Sequence, residues 1–197
     1  DAAVLEKAPR LKLIATPTTG LDHLDLELLG QRRIEVLSLK ADRALLDQIP
    51  TTAELSFALL LTCARNLPLC FEATRQGRWE RHRFAGIQLS GRTLGLVGLG
   101  RLGTMMARYG QAFGMTVIGS DPDVAHPPPG VETLPLDDLL QRSHFVSLHV
   151  HLTNGTRGLL GARELGLMRQ GSILINTSRG ALIDEPALIR EMRAGRI

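Results

Sequence analysis

Three groups of residues have types and spacings suited to chemistry. The first is Gly98-x-Gly100-x-x-Gly103, which follows an apolar run at residues 94–97 and opens into a segment of helical periodicity. Glycine at the first position permits a tight turn, at the second lets a pyrophosphate approach the backbone, and at the third lets the helix pack closely on the strand. The N-terminus of that helix would then face the phosphates with amide groups and a positive dipole end. The second is Asp121, eighteen positions after Gly103 and just past another apolar run. A carboxylate there can accept hydrogen bonds from the adenosine ribose hydroxyls. It would also repel a 2′-phosphate, and residues 122–124 bring no arginine or lysine to hold one, so the pattern points to NAD over NADP. Asp121-Pro122-Asp123 also reads as a plain polar turn. The third group is Thr177-Ser178-Arg179, after an apolar run at 172–176. A guanidinium at a strand exit can hold a carboxylate or carbonyl oxygen bidentately, and Gly180 beside it leaves room for a substrate. Arg179 could equally pair with Asp184 or Glu185 on the surface.

Other chemistry-bearing residues are less decisive. His149 and His151 alternate along a strand exit, so their side chains point to opposite sides and at most one faces a common crevice. Either also reads as an ordinary core or surface histidine. Asp137-Asp138 are adjacent carboxylates, but neighbouring helical positions diverge, and a solvated helix start after Pro135 accounts for them. Ser178 has no evident histidine partner and is not read as a nucleophile.

The elements that must position these groups alternate. Strands are expected at 11–15, 34–39, 94–97, 115–119, 145–150 and 172–177, with helices at 24–29, from 51 onward, 102–113, 136–141, 162–168 and 185–194. On the helix from 51, Leu55, Ala58, Leu59 and Thr62 are expected to continue the apolar face, and Pro68 should kink or end it. On the helix after Gly103, Leu102, Met105, Met106, Tyr109 and Phe113 form the expected buried stripe. This alternation implies a parallel, doubly wound α/β sheet, whose strand C-terminal ends share one edge. Residues 76–91, with Gly77, Arg78, Trp79, Arg81, Gly86 and Gly91, read as a polar connector. The expected division is therefore 1–76, including a helix at 51–76 between domains, and 77–197.

The chain has 197 residues, 44% of them hydrophobic, and a net charge of +3 with acidic and basic residues interspersed. That is ample for a core, and it lacks the basic arm or stripe expected of a nucleic-acid binder. No apolar run approaches the roughly 18 residues of a membrane span. Cys63 and Cys70, seven positions apart in an apolar helical segment, read as reduced core residues of a cytoplasmic protein. No zinc-type ligand spacing occurs. The sequence opens at Asp1, without methionine or a signal-peptide pattern.

The residues assembled so far resemble the D-isomer-specific 2-hydroxyacid dehydrogenase family over nearly the whole chain. The specific matches are G-L-V-G-L-G-R-L-G at 95–103, A-F-G-M-T-V-I-G-S-D-P at 112–122, V-S-L-H-V at 146–150 and L-M-R-Q-G-S-I-L-I-N-T-S-R-G-A-L-I-D-E-P-A-L at 167–188. T-T-G-L-D-H-L-D-L at 18–26 and T-A-E-L-S-F-A-L-L-L at 52–61 resemble the family's substrate loop and interdomain helix. The resemblance implies a Rossmann-type doubly wound domain plus part of a flavodoxin-like substrate domain, NAD as cofactor, a small 2-hydroxy or 2-keto acid as substrate, and a homodimer.

It also implies roles. Backbone amides of Arg101 and Leu102 would meet the pyrophosphate, and Asp121 the ribose. Thr177, Ser178 and Arg179 would line the nicotinamide side, with Thr156 and residues 149–151 beside the cofactor. Thr18, Thr19 and Gly20 would face the substrate carboxylate, and Arg179 would be the catalytic arginine. His151 stands where the family usually has proline. The family's catalytic glutamate and histidine are expected further along than residue 197, so the chain reads as an incomplete copy at both ends. The same scaffold could serve formate or phosphite oxidation, or an NAD-sensing corepressor that works through protein partners.

Overall fold

A computed structural model describes residues 2–80 and 82–197; Asp1 and Arg81, the latter inside the expected connector, lie outside the described residues. The chain divides into two compact units, Asp1–Ile49 and Pro50–Ile197. This division precedes the boundary expected at 76/77. The helix beginning at Thr51 shares a core with the strands that follow it, and so belongs to the second unit.

In the first unit α1 (Ala2–Glu6), β1 (Leu13–Thr16), α2 (Leu26–Gln31), β2 (Glu35–Ser38) and α3 (Arg43–Asp47) follow in order. β1 and β2 pair in parallel, Leu13 opposite Glu35. Leu5, Leu29 and Ile34 form the small core. Two of these helices, α2 and α3, start at aspartate caps: the Leu28 amide donates to Asp25 Oδ1 (3.0 Å) and the Leu45 amide to Asp42 Oδ1 (2.9 Å).

The second unit comprises α4 (Thr51–Ala64), α5 (Leu67–Arg75), β3 (Thr93–Val97), α6 (Arg101–Ala112), β4 (Thr116–Ser120), β5 (Glu132–Thr133), α7 (Leu136–Arg142), β6 (Phe145–Leu148), α8 (Ala162–Leu167), β7 (Ile173–Asn176) and α9 (Glu185–Arg193). The strands run parallel in the order β5-β4-β3-β6-β7. One face of the sheet is covered by α4 and α6, through Ala53, Phe57, Leu60, Met106 and Ala107. Leu139, Leu140, Leu165 and Ala187 of α7, α8 and α9 cover the other. The doubly wound expectation therefore holds. The chain leaves β4 on one side of β3 and returns to β6 on the other, which makes the C-terminal ends of β3 and β6 the switch point of the sheet.

Four local expectations are revised. The buried line of α6 is Gly103, Met106, Ala107 and Gly110, with Phe113 47% exposed. A Cβ at Gly110 would lie 2.8 Å from Leu94 Cδ2, so glycines set how closely the helix meets β3. On α4 the buried face is Ala53, Ser56, Phe57, Leu60 and Ala64, and Leu55 is 54% exposed. A helix apolar on nearly all sides carries no periodicity from which to choose its inner face. Pro68 lies in the first turn of α5, and the break falls just before it at Asn66, which adopts the left-handed conformation (φ 53°). Cys63 is exposed and Cys70 half-buried, both free, so neither is a core residue. Among the described residues no single helix is long and apolar enough to cross a membrane.

Candidate functional site

The C-terminal edge of the five-stranded sheet gathers Gly98, Gly100 and Gly103 after β3, Asp121 after β4, His149 and His151 after β6, and Thr177, Ser178 and Arg179 after β7. Thr18, Thr19 and Gly20 lie after β1 of the first unit. There the Thr18 hydroxyl donates to the Gly20 carbonyl (2.9 Å) and lies 2.9 Å from Thr16 Oγ1, which folds the loop on itself.

The glycine turn is built by exclusion. Gly98 has φ +94°, open to glycine and strained for other residues. A Cβ there would lie 2.6 Å from the carbonyl oxygen of His149, and one at Gly103 would overlap the Gly98 carbonyl oxygen. At Gly100, the N-cap of α6, a Cβ would meet nothing within 4 Å. The first and third glycines are thus fixed by the protein's own packing, while the second faces open space. Such open backbone at the start of a three-turn helix is the surface a pyrophosphate fits, with the amides of Leu102 and Gly103 inside the first turn.

Asp121 ties this turn to β4. Its Oδ2 accepts from the Leu99 amide (2.8 Å) and its Oδ1 from the Asp123 amide (3.0 Å). Leu99 is buried against Gly119, where a Cβ would lie 2.6 Å from Leu99 Cδ2. Each carboxylate oxygen retains a second acceptor site, so the group can hold the turn and still receive ribose hydroxyls.

At the switch point the amide of His149 donates to Val97 O (2.7 Å), extending the β3–β6 ladder by one residue. Its ring turns inward: Nε2 lies 2.9 Å from Ser147 Oγ, and Nδ1 is buried with no hydrogen-bond partner. Burial pushes its pKa down to about 4, so the ring is neutral at physiological pH. His151 is exposed, and its carbonyl accepts from Thr156 Oγ1 (2.6 Å). Thr156 Oγ1 also accepts from the Thr153 amide (2.8 Å), so this threonine closes the loop after β6.

The exit of β7 is braced by side chains. Asn176 Nδ2 donates to Arg179 O (2.9 Å), while its Oδ1 accepts from the Ser178 amide (3.0 Å). Ser178 Oγ donates to Leu148 O (3.0 Å), tying the exit of β7 to that of β6. Arg179 Nη1 donates to Ser178 O (3.0 Å). Asp184 caps α9 by accepting from the Ala187 amide (3.0 Å). Asp137 is held by Arg163 through two contacts of 2.6 and 2.9 Å, and this hydrogen bonding lowers its pKa, consistent with a solvated ion pair and not an acid–base pair.

The roles of Asn176, Leu99 and Ser147 lie outside the motifs that the sequence displays. Asn176 had a readable signal, since asparagine just before a turn commonly bonds backbone two residues on.

Fold and edge together define a Rossmann-type dinucleotide-binding domain. Residues 57–197 match the model of the D-isomer specific 2-hydroxyacid dehydrogenase NAD binding domain, and residues 1–45 that of the same family's catalytic domain. The chain belongs to this family, and NAD is the cofactor of the domain. It is 39% identical to a D-3-phosphoglycerate dehydrogenase of Methanocaldococcus jannaschii over 98% of its length and 37% of the relative's. It is 37% identical to a hydroxypyruvate reductase of Thermotoga maritima over its whole length and 62% of the relative's. The structure superposes with TM-score 0.84 on D-lactate dehydrogenase from Aquifex aeolicus, solved with NAD and lactic acid, at 33% identity, covering 100% of this chain and 59% of that one. The chain thus spans between about a third and two thirds of the length of these relatives.

Proposed function

We propose that the protein is an NAD-dependent oxidoreductase that moves a hydride between the nicotinamide ring and C2 of a 2-hydroxy acid/2-keto acid pair. The observation that carries this reading is the sharing of one sheet edge by Asp121, the glycine turn and Thr177-Ser178-Arg179. The cofactor supplies the hydride chemistry. Asp121 holds the ribose, Gly100 leaves the pyrophosphate its place on the backbone, and Arg179 binds the substrate carboxylate and polarises the C2 oxygen through charge-assisted hydrogen bonds. His149 is neutral and turned into the fold, so it holds the edge together and does not deliver a proton. The names of the curated relatives favour a hydroxy acid or keto acid over formate, phosphite or a corepressor role.

Oxidation of NADH by the full-length protein, followed at 340 nm with hydroxypyruvate, glyoxylate and 3-phosphohydroxypyruvate, tests the assignment. Arg179→Ala is expected to lower kcat/KM by about a hundredfold or more while NADH still binds. Turnover unchanged in that variant removes Arg179 from its role.

The outer strip of α4, Leu55, Ala58 and Leu59, with exposed Leu69, Phe71 and Trp79 beyond it, supports a homodimer built on this apolar surface. Leu59→Glu is expected to shift the sedimentation coefficient to that of a monomer. Free Cys63 and Cys70 support a reducing compartment, the cytoplasm, which cell fractionation tests.

A further inference from the structure

The buried face of α4 carries one polar residue, Ser56, fully buried beside Ala53, Phe57 and Leu60. Its Oγ lies 2.7 Å from the carbonyl oxygen of Thr52 and 2.6 Å from Thr177 Oγ1. A carbonyl only accepts, so the single proton of Ser56 goes to Thr52. The contact with Thr177 is then a hydrogen bond only if Thr177 donates. This fixes a proton order, Thr177 to Ser56 to the Thr52 carbonyl. The Thr177 proton is then directed at Ser56, and on this half-buried residue the hydroxyl oxygen is left with lone pairs only.

Thr177 follows β7, three strands from β4, whose end holds Asp121. At about 4.8 Å per strand spacing that is roughly 14 Å along the edge. With the adenosine at Asp121 and the pyrophosphate over Gly100, the far end of an extended dinucleotide would fall at the exits of β6 and β7. A carboxamide on the ring there presents N–H donors; a carboxylate presents none.

We propose that Ser56 is a positioning residue that makes Thr177 an obligate acceptor, and so sets the site's preference for the nicotinamide carboxamide over the nicotinic acid form of the same dinucleotide. The inference rests on the dinucleotide reading above and concerns the selectivity of that site.

Calorimetry on the full chain with NAD+, deamido-NAD+ and ADP-ribose tests it. The wild-type protein is expected to bind NAD+ about tenfold more tightly than deamido-NAD+. Ser56→Ala frees the Thr177 hydroxyl to rotate and donate, and should narrow that ratio about fivefold while ADP-ribose affinity stays unchanged. Thr177→Val should narrow it as well, and Ser56→Ala should then add nothing further. An unchanged ratio in Ser56→Ala overturns the proposal. So does a loss of ADP-ribose affinity in step with NAD+, which would make Ser56 a packing residue only. If the wild-type chain fails to bind ADP-ribose at all, the dinucleotide reading falls and the proposal with it.

Discussion

The two halves of the sheet edge are built by opposite means. Around β3, α6 and β4 the site is shaped by what is absent: glycines at 98, 103, 110 and 119 let a backbone, a helix and the Leu99 side chain occupy volumes that a Cβ would fill. Around β6 and β7 it is held by what is present, a lattice of side-chain hydrogen bonds from Ser147, Asn176, Ser178 and Ser56. Steric exclusion is steep, so the first half tolerates almost no change at its contact points. Hydrogen bonds exchange with water at modest net cost, so the second half should degrade in steps.

The largest expected effect tests the steric half. Gly103→Ala places a methyl group on the Gly98 carbonyl and should cost about 3 kcal/mol of stability, read by urea denaturation. Gly100→Ser is the control within the same motif. A Cβ at 100 meets nothing, and serine is a competent N-cap, so stability should stay within about 0.5 kcal/mol while the Kd for NAD+ rises about tenfold. Equal destabilisation by the two substitutions would mean that packing, and not a ligand, explains all three glycines.

The boundary between the halves is His149, and it should respond to pH. Its folded-state pKa of about 4 lies below the usual 6.5, so between these values the unfolded chain binds the extra proton. The stability that depends on a neutral ring is present above pH 6.5 and falls as pH drops towards 4, by about 3 kcal/mol in total. The stability difference between wild type and His149→Gln, measured from pH 7.5 to 4, should carry this slope. A difference flat in pH would place the ring in contact with solvent.

The two halves also differ in how legible they are in the sequence. Gly98-x-Gly100-x-x-Gly103 and Asp121 could be read because the turn is local: residues a few positions apart enforce it, and sequence spacing reports it directly. That the sheet is parallel and doubly wound follows from the alternation of strands and helices; its strand order does not. The inner face of α4 is not legible in the sequence because Leu55, Ala58 and Leu59 are as apolar as Phe57 and Leu60, and only tertiary packing decides between them. The Ser56–Thr177 contact joins residues 121 positions apart, and no local pattern marks it. The polar connector at 76–91 marks a change of composition, whereas the compact units divide before α4, whose inner face shares the core of the second.

The smallest effect belongs to the polar half and can be resolved bond by bond. Asn176 gives one hydrogen bond to Arg179 O and receives one from the Ser178 amide, which together hold the turn that carries the guanidinium. Asn176→Ala removes both and should cost about 1.5 kcal/mol in urea denaturation, against about 3 for Gly103→Ala. Asn176→Asp keeps the acceptor for the Ser178 amide but places a carboxylate oxygen opposite the Arg179 carbonyl, so it recovers only part of that loss. Both variants should weaken keto-acid binding more than NADH binding, because the turn aims Arg179 and not the adenosine end. A graded series here beside an all-or-none response at Gly103 is the signature of an edge excluded on one side and hydrogen-bonded on the other. Should Asn176→Ala be as damaging as Gly103→Ala, the β7 exit is also a packing constraint and the contrast between the halves disappears.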